Sequence, residues 1–307
     1  MKRIRTRLCD RSVERVVAIM KTCPRNSSVW YGLWGSPIKK GHVSLSDVKS
    51  ILSLARKYGI STIDTAAAYG SSENALGLAG VNDFNIVSKL PPRDSKCLDT
   101  IGWIEKSVKN SLENLKVDSL YGFLLHRPHE LLSSEGEKIF ETLSVLKSKG
   151  IIKKIGVSIY EPEQLDQLYQ YYSFDLVQTP MNLIDHRIIE TGWLQRLKES
   201  GAEVHIRSAF LQGLLLMKSI DRPAYFNTWN RIFAHFDEWL ISENISPLEA
   251  CLGFLNSHPE IDKVIVGIDS VKQLSEIMDA VSVKIPEIPD SLKSGDLALI
   301  NPGCWKL

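Results

Sequence analysis

Short apolar runs and longer amphipathic segments alternate along most of the chain. The runs are rich in β-branched residues and predict buried strands, whereas segments with apolar residues at three- and four-residue spacing predict helices. Eight strands are predicted, at residues 13–20, 60–63, 85–88, 119–125, 155–158, 176–178, 204–207 and 264–266. Because helices alternate with these strands, the pattern predicts the α/β class and a (β/α)8 TIM barrel rather than a doubly wound sheet.

Helix boundaries are also visible in the sequence. The first predicted helix begins at Ser44, which resembles a capping box with Asp47, and it ends at Gly59. Further helices are predicted at residues 73–79, 98–115, 137–149, 162–169, 193–199 and 271–280, with one or two more around Pro247 within residues 229–257. No linker or internal repeat divides the chain, so residues 1–307 are predicted to form a single domain.

Three segments lie outside this alternation. Residues 2–8 alternate like an edge strand and, with residues 13–20, predict an N-terminal β-hairpin across the bottom of the barrel. Residues 21–43 are irregular and carry Trp30, Tyr31 and Trp34, which we expect over the active face as an apolar or sugar-stacking wall or as plain loop packing. Residues 286–307 predict a C-terminal tail that lies over the barrel near the substrate mouth.

Composition narrows the class of protein. The 307 residues are 44% hydrophobic, with 37 basic and 36 acidic side chains and a formal charge of +1, so neither a nucleic-acid nor a membrane partner is expected. The five cysteines are scattered without C-x-x-C spacing, which is typical of a reduced chain. Residues 1–20 lack the apolar core of a signal peptide. A cytoplasmic protein is therefore expected.

Ionisable side chains close three successive predicted strands. Asp64 follows the second, Lys89 the third and His126 the fourth, and Tyr69 comes five residues after Asp64. The carboxyl ends of the strands share one face of a parallel barrel, so we expect the four side chains to converge. Each alone would more often be structural, and their joint placement favours a catalytic site. His126 and His129 do not predict a metal site, because no Cys or carboxylate lies at ligand spacing.

Six segments carry a resemblance to a known family. In chain order they are IDTAAAYGSSENALG, IVSKL, LYGFLLHRP, IKKIGVS, LVQTPMNLID and FLQGLLL. Together they resemble the aldo-keto reductase family, from about residue 44 to about residue 280. The resemblance implies a barrel oxidoreductase that interconverts an aldehyde or ketone, sugars included, with its alcohol. It also implies that the catalytic residues are Asp64, Tyr69, Lys89 and His126.

The same four residue types fit proton transfer to a carbonyl oxygen. A free tyrosine titrates at about 10, and a neighbouring ammonium favours its phenolate. Lys89 is the candidate cation, and Asp64 can keep it charged in apolar surroundings. His126 can donate a hydrogen bond to the carbonyl oxygen, where negative charge develops. Tyr69 would then be the general acid in reduction and the general base in the reverse direction, while a nicotinamide cofactor must deliver the hydride.

The resemblance places the cofactor beside strands five to eight. It implies that Ser158 and Gln178 hold the nicotinamide carboxamide, whose donor and acceptor suit a hydroxyl and an amide, although Ile159 stands where the family usually has Asn. Arg207 stands where most members have an aromatic residue. We expect its guanidinium to stack on a ring, to bind the pyrophosphate or to clamp an anionic substrate, with a structural salt bridge as the alternative. The next predicted cofactor residues are Ser208, Phe210 and Gln212.

A last predicted cofactor segment follows strand eight. The resemblance implies that it contacts the adenosine 2′-phosphate, and its candidate residues are Gly267, Asp269, Lys272, Gln273 and Glu276. Typical members carry Arg or Lys here, whereas this segment offers Lys272 as its one positive charge. An acidic residue beside the ribose favours a free 2′-hydroxyl. Asp269 therefore supports NAD(H), while the resemblance implies NADP(H).

Two other functions are compatible with the sequence. A dinucleotide-binding sensor or regulatory protein with little turnover would account for Ile159, Arg207 and Asp269. A Schiff-base aldolase or lyase would use Lys89 as its nucleophile. That chemistry needs a neutral amine, and a pairing with Asp64 opposes it.

Overall fold

The chain folds into one closed barrel of eight strands. The computed structural model describes residues 15–19, 43–94 and 98–307, and every pair of neighbouring strands is parallel. The strands are β1 (Val16–Ile19), β2 (Thr62–Asp64), β3 (Asn85–Leu90), β4 (Leu120–Leu125), β5 (Ile152–Ser158), β6 (Leu176–Pro180), β7 (Glu203–Arg207) and β8 (Lys263–Gly267). The predicted (β/α)8 barrel is confirmed.

Helices connect the strands and cover the barrel. They are α1 (Leu45–Tyr58), α2 (Ser72–Ala79), α3 (Thr100–Leu115), α4 (Gly136–Ser148), α5 (Glu163–Leu168), α6 (Arg187–Glu190), α7 (Trp193–Glu199), α8 (Asn230–Ser242), α9 (Pro247–Asn256), α10 (Val271–Ala280) and α11 (Leu297–Ile300). The residues around Pro247 form two helices, because Ser246 and Glu249 make a capping box that starts α9. Within the described residues, no helix is long and apolar enough to cross a membrane.

The N-terminal predictions are only partly covered by the structure. Residues 13–20 contribute β1, which pairs with β2 on one side and with β8 on the other. The first arm of the predicted hairpin, at residues 2–8, lies outside the described residues, as do Trp30, Tyr31 and Trp34. Their predicted roles therefore stay predictions.

The first helix shows how local sequence sets an element. Ser44 accepts a hydrogen bond from the backbone N–H of Asp47 at the start of α1, and its hydroxyl donates to the Asp47 carboxylate. Four apolar residues at helical spacing face the core, namely Val48, Ile51, Leu52 and Ala55. Gly59 ends the helix in the left-handed conformation (φ 78°), which glycine adopts without a steric penalty. Both predicted ends of this helix are confirmed.

The barrel interior has polar side chains towards both ends and apolar ones between them. Val87, Leu124 and Leu176 form a buried apolar cluster in the interior. Towards the carboxyl ends of the strands lie the buried side chains of Asp64, Lys89, Ser158 and Gln178. Towards the amino ends lie Tyr121, Lys154, Glu203 and His205, which we call the amino-end cluster. The candidate chemistry is therefore separated from the amino-end cluster by apolar packing.

The amino-end cluster is built around one carboxylate. Glu203 accepts hydrogen bonds from Lys154 Nζ at 2.5 Å and from the Tyr121 hydroxyl at 3.0 Å. The Nε2 atom of the fully buried His205 lies 3.4 Å from its other oxygen. Burial alone would raise the pKa of Glu203, but His205 and Lys154 outweigh it and hold the pKa at about 2. Glu203 is therefore the anionic centre of this cluster.

The C-terminal tail packs against segments that follow β6 and β7. The N–H of Ser294 donates to the carbonyl of Ile184, and the Tyr225 hydroxyl donates to the carbonyl of Ala298. The Trp305 ring meets Phe226 edge to face, with the centroids 4.9 Å apart. Because both segments begin at carboxyl ends of strands, the tail lies on the carboxyl side of this part of the barrel.

Candidate active site

The fold brings together the four residues predicted to be catalytic. Asp64 is the last residue of β2, Lys89 lies near the end of β3, and His126 directly follows β4. Tyr69 lies in the turn between β2 and α2. Asp64 and Lys89 are fully buried, whereas Tyr69 and His126 are partly exposed. The pair of charges is thus enclosed beneath two rings that face the barrel mouth.

A buried ion pair forms the base of the site. Lys89 Nζ donates to Asp64 Oδ1 at 2.5 Å and to the backbone carbonyl of Thr65 at 2.8 Å. Burial alone would lower the pKa of Lys89, but the negative charge of Asp64 and the neighbouring Tyr69 hydroxyl outweigh it, so this pKa is raised above its ordinary value. Lys89 is therefore an ammonium ion at neutral pH.

Tyr69 stands between this ammonium and His126. Lys89 Nζ lies 5.2 Å from the centre of the Tyr69 ring. The Tyr69 and His126 rings are nearly perpendicular, with centroids 5.9 Å apart, and Tyr69 also packs on Ile265 of β8. The phenol is thereby held close to a cation on one side and to an imidazole on the other.

Hydrogen bonds extend from Asp64 to the two residues predicted to hold the carboxamide. Gln178 Nε2 donates to Asp64 Oδ2 at 2.8 Å, and the Ser158 hydroxyl donates to Gln178 Oε1 at 3.2 Å. Side chains from β2, β3, β5 and β6 thus form one continuous chain, which runs from Lys89 to Ser158. Gln178 is the link between its two halves.

Arg207 is partly buried at the end of β7 and does not make a salt bridge with any described residue. Its Nη2 atom donates to the carbonyl of Ile159 at 2.7 Å, and Nη1 lies 3.3 Å from the Ser208 hydroxyl. Its guanidinium lies 4.3 Å from the centre of the Tyr160 ring. Burial lowers the pKa of Arg207, although a guanidinium remains charged. The structural salt bridge considered as the alternative is therefore not formed with the described carboxylates.

The segment after β7 has an unusual backbone. Ser208, Leu211 and Gln212 have φ values of 59°, 45° and 55°, in a region that side chains other than glycine seldom adopt. Ser208 and Gln212 are partly exposed, whereas Phe210 is buried in the core. Strained backbone of this kind is common beside binding sites. Of the three predicted cofactor residues here, Phe210 is therefore the one whose side chain is enclosed in the core.

The residues predicted at the adenosine end lie together where β8 leads into α10. Gly267 ends β8, and the backbone N–H of Asp269 donates to Gln273 Oε1 at 2.8 Å. Lys272 is 84% exposed in its side chain and lies 3.8 Å from Glu276. The segment therefore presents two acidic side chains and one basic side chain.

Several contributors to this site were not predicted. Thr65 holds Lys89 through its backbone carbonyl, and Ile159 holds Arg207 in the same way, which side-chain patterns cannot reveal. Tyr160 stacks on Arg207, and its position two residues after the strand-end Ser158 was the available signal. Within the described residues, no group of three or more His, Cys, Asp or Glu is placed to hold a metal ion.

Sequence comparisons identify relatives with related chemistry. The chain matches the model of the aldo/keto reductase family over residues 28–288. An uncharacterized oxidoreductase of Bacillus subtilis (strain 168) is 26% identical over 273 residues, covering 81% of this chain and 88% of that protein. A 6-dehydroglucose reductase of Agrobacterium fabrum (strain C58 / ATCC 33970) is 28% identical over 193 residues, covering 56% of this chain and 64% of the relative.

Comparison of structures gives the same fold. The holo form of an aldo-keto reductase from Bacillus halodurans matches with a TM-score of 0.66 at 20% identity, covering 84% of this chain and 88% of that one. At this identity the match shows the fold, and the sequence match over most of the chain shows the family. The chain therefore belongs to the aldo/keto reductase family, a membership that supports oxidoreduction between carbonyl compounds and alcohols.

Proposed function

We propose that this protein reduces the carbonyl group of a small aldehyde or ketone, and oxidises the alcohol in reverse, with Tyr69 as general acid and base. The observation that carries the proposal is the position of the Lys89 ammonium. It is buried against Asp64 and lies 5.2 Å from the centre of the Tyr69 ring. A fixed cation at this distance stabilises the phenolate that remains when Tyr69 gives up its proton.

His126 and Asp64 have different tasks in this proposal. The His126 ring lies close to Tyr69, so a ring N–H and the phenolic O–H can converge on one carbonyl oxygen. Two such donors stabilise the negative charge that develops there. Asp64 is a positioning residue, because its carboxylate already accepts hydrogen bonds from Lys89 and Gln178.

A nicotinamide cofactor supplies the hydride when it is bound. The donor set on β5 and β6 fits its carboxamide, because the Gln178 amide keeps a second N–H and Ser158 keeps oxygen lone pairs beyond the bonds that they make. Both side chains are almost fully buried, where polar groups favour a polar ligand group. We assign the carboxamide to these two residues. We assign the surroundings of the bound carboxamide to Arg207, Ser208, Phe210 and Gln212.

The segment from β8 to α10 is assigned to the adenosine end. Family membership favours NADP(H). Lys272, however, lies 3.8 Å from Glu276, and Asp269 adds negative charge, which favours the free 2′-hydroxyl of NAD(H). Titration with NADPH and NADH side by side shows which dinucleotide the protein binds more tightly. Tighter NADPH binding would support the family cofactor, and tighter NADH binding would show that the local charges decide. The remaining residues assigned here are Gly267 and Gln273.

The substrate class that we propose to test first is sugars with a free carbonyl group, because one relative is named a 6-dehydroglucose reductase. Lyase chemistry at Lys89 is disfavoured, since its raised pKa keeps the amine protonated and an ammonium is not a nucleophile. A dinucleotide-binding sensor would bind the cofactor without consuming any carbonyl compound.

Replacement of the tyrosine tests the proposal directly. Tyr69→Phe removes the proton donor and is expected to lower turnover roughly 10²–10⁴-fold while dinucleotide binding persists. The measurement is absorbance at the nicotinamide band with a panel of aldehydes and aldoses, beside dinucleotide titration of the same samples.

The matched control is Tyr171→Phe, because Tyr171 is 72% exposed and lies outside the site. This variant is expected to keep the wild-type rate. Full activity of Tyr69→Phe would refute the role of the tyrosine. Binding without turnover by the wild type on every substrate would favour the sensor.

A further inference from the structure

We propose that Arg207 makes this site bind the reduced, uncharged nicotinamide more tightly than the oxidised, cationic one. The inference rests on the proposed function, and it concerns a property of the site that the proton-transfer residues do not determine. Three features of Arg207 carry it: its position beside the carboxamide pair, its lack of a carboxylate partner among the described residues and the orientation of its guanidinium.

The position follows from the strand order. Arg207 ends β7 and is the register partner of Pro180 on β6, the strand that carries Gln178. Its Nη2 atom binds the carbonyl of Ile159, the residue directly after Ser158. The guanidinium therefore lies beside the Ser158–Gln178 pair, which is the pair that we assign to the carboxamide.

Within the described part of the chain, the charge of Arg207 is not neutralised by an ion pair. No described carboxylate lies within ion-pair distance of it, and its buried Nε atom has no hydrogen-bond partner among the described residues. The acids in its neighbourhood are already paired. Asp64 binds Lys89, and Asp185 accepts two hydrogen bonds from Arg187, each 2.8 Å long. A partly buried cation without a partner acts strongly on a charge that enters beside it.

The guanidinium is also held in one orientation. Its central carbon lies over the Tyr160 ring, 4.3 Å from the ring centre. The backbone of Tyr160 is held in place, because its N–H donates to Gln164 Oε1 at 2.8 Å and its carbonyl accepts from Arg187 at 3.3 Å. A planar group held in this way can lie against a second planar group.

The two redox forms of nicotinamide differ by one unit of positive charge on the ring. An uncompensated guanidinium beside the ring repels the oxidised form and leaves the reduced form almost unaffected. By a thermodynamic cycle, Arg207 therefore shifts the equilibrium on the protein towards reduced cofactor and carbonyl compound.

The test compares dissociation constants for the two redox forms of one dinucleotide, measured without substrate by quenching of protein fluorescence. The wild type is expected to bind the reduced form about tenfold more tightly or better. Arg207→Met and Arg207→Tyr remove the charge and are expected to reduce this ratio severalfold. Arg207→Lys keeps the charge and is expected to retain more of the preference than either neutral variant.

A matched control is available on α7. Arg196 also stacks on an aromatic ring, that of Trp193, but at a surface where its side chain is 54% exposed. Arg196→Met should leave the ratio unchanged. Thermal unfolding identifies any variant that fails to fold. If Arg207→Met fails to fold, Arg207→Tyr and Arg207→Lys still test the proposal.

The outcomes separate this inference from the proposed function. Wild-type protein that binds neither redox form would overturn both. Binding of both forms with equal affinity, or a ratio that is the same in wild type, Arg207→Met and Arg207→Tyr, would overturn only the role of Arg207. A ratio that falls in the neutral variants and persists in Arg207→Lys supports it.

Discussion

The buried ammonium of Lys89 links stability to catalytic geometry at the scale of single residues. A charge taken out of water is tolerated only when opposite charge and hydrogen bonds surround it. Asp64 and the carbonyl of Thr65 provide these in the structure. The same contacts fix the cation beside Tyr69. Removal of either charged partner should therefore affect folding as well as turnover.

The stability of this pair can be measured by a double-mutant cycle. Lys89→Met leaves the Asp64 carboxylate buried with Gln178 as its remaining charge-stabilising side chain, and it is expected to cost about 3–5 kcal/mol of unfolding free energy. Adding Asp64→Asn removes the stranded charge, so the double variant is expected to lose less than the sum of the two single losses. Urea unfolding at neutral pH gives the three values.

A surface lysine provides the control for this cycle. Lys109 pairs with Glu113 at 3.7 Å, and its side chain is 75% exposed. Lys109→Met is expected to change the unfolding free energy by less than about 1 kcal/mol. Simple additivity of Lys89→Met and Asp64→Asn would contradict the coupling.

Some of this site was predictable from individual residues, and some was not. Asp64, Lys89 and His126 stand at strand ends, and a parallel barrel brings strand ends to one face whatever the side-chain rotamers are. The stacking of Arg207 on Tyr160 depends on the rotamers of both side chains. The role of the Thr65 carbonyl depends on backbone direction. Neither rotamers nor the direction of a backbone carbonyl can be read from a pattern of residue types.

At the scale of elements, one glycine decides how closely α2 approaches α3. A β-carbon at Gly77 would lie 2.1 Å from the backbone carbonyl oxygen of Asn114 and 2.8 Å from the carbonyl carbon of Leu115. Both atoms belong to backbone, which cannot rotate away as a flexible side chain can. Helix packing therefore explains why glycine stands at position 77, the end of the SENALG segment, without any catalytic role for that residue.

Gly77→Ala is therefore expected to destabilise the protein by about 1–3 kcal/mol, although alanine favours a helix more than glycine does. Thermal or urea unfolding measures the change. Gly295→Ala is the control, because nothing lies within 4 Å of the corresponding β-carbon, and it should change the free energy by about 0.5 kcal/mol or less. A more stable Gly77→Ala protein would show that the two helices can separate at little cost.

Element boundaries followed the sequence where capping residues define them. Ser44 and Gly59 each mark a helix end that the structure reproduces. The segment after β7 was less predictable, because Leu211 and Gln212 adopt left-handed backbone conformations without being glycine. Tertiary packing of the buried Phe210, Leu211 and Leu214 imposes that conformation against local preference.

At the scale of the whole molecule, the amino-end cluster makes stability depend on pH. The folded-state pKa of Glu203 is about 2, below its ordinary value of 4.5. A carboxylate whose pKa is depressed by folding stabilises the folded state fully above its unfolded pKa. This stabilisation is lost as the pH falls from about 4.5 towards 2.

Glu203→Gln is expected to reduce the loss of unfolding free energy at acid pH by at most about 3 kcal/mol. The measurement is the unfolding free energy at several pH values between 7 and 3, for wild type and variant. Glu243→Gln is the control, since Glu243 is exposed, and it should keep the wild-type slope. Equal slopes for wild type and Glu203→Gln would mean that other groups govern acid unfolding.

The global fold was predictable because eight apolar runs alternate with helices, and few architectures accommodate that order. The polar side chains inside the amino end of the barrel were not predictable. His205 shows no spacing that separates it from other histidines, yet it is completely buried beside Glu203. Only the closure of the barrel brings the side chains of β4, β5 and β7 together at its amino end.

Gln178 has a practical consequence for anyone who wishes to redesign this protein. Its amide touches Asp64 through nitrogen and Ser158 through oxygen, so one substitution would disturb the Asp64–Lys89 ion pair and the proposed nicotinamide contacts at once. Selections that alter this residue should therefore recover few improved variants. The segment from Asp269 to Glu276 makes no hydrogen bond to that chain among the described residues. Under the proposed assignment of this segment to the adenosine end, dinucleotide preference is best evolved there, independently of reaction rate.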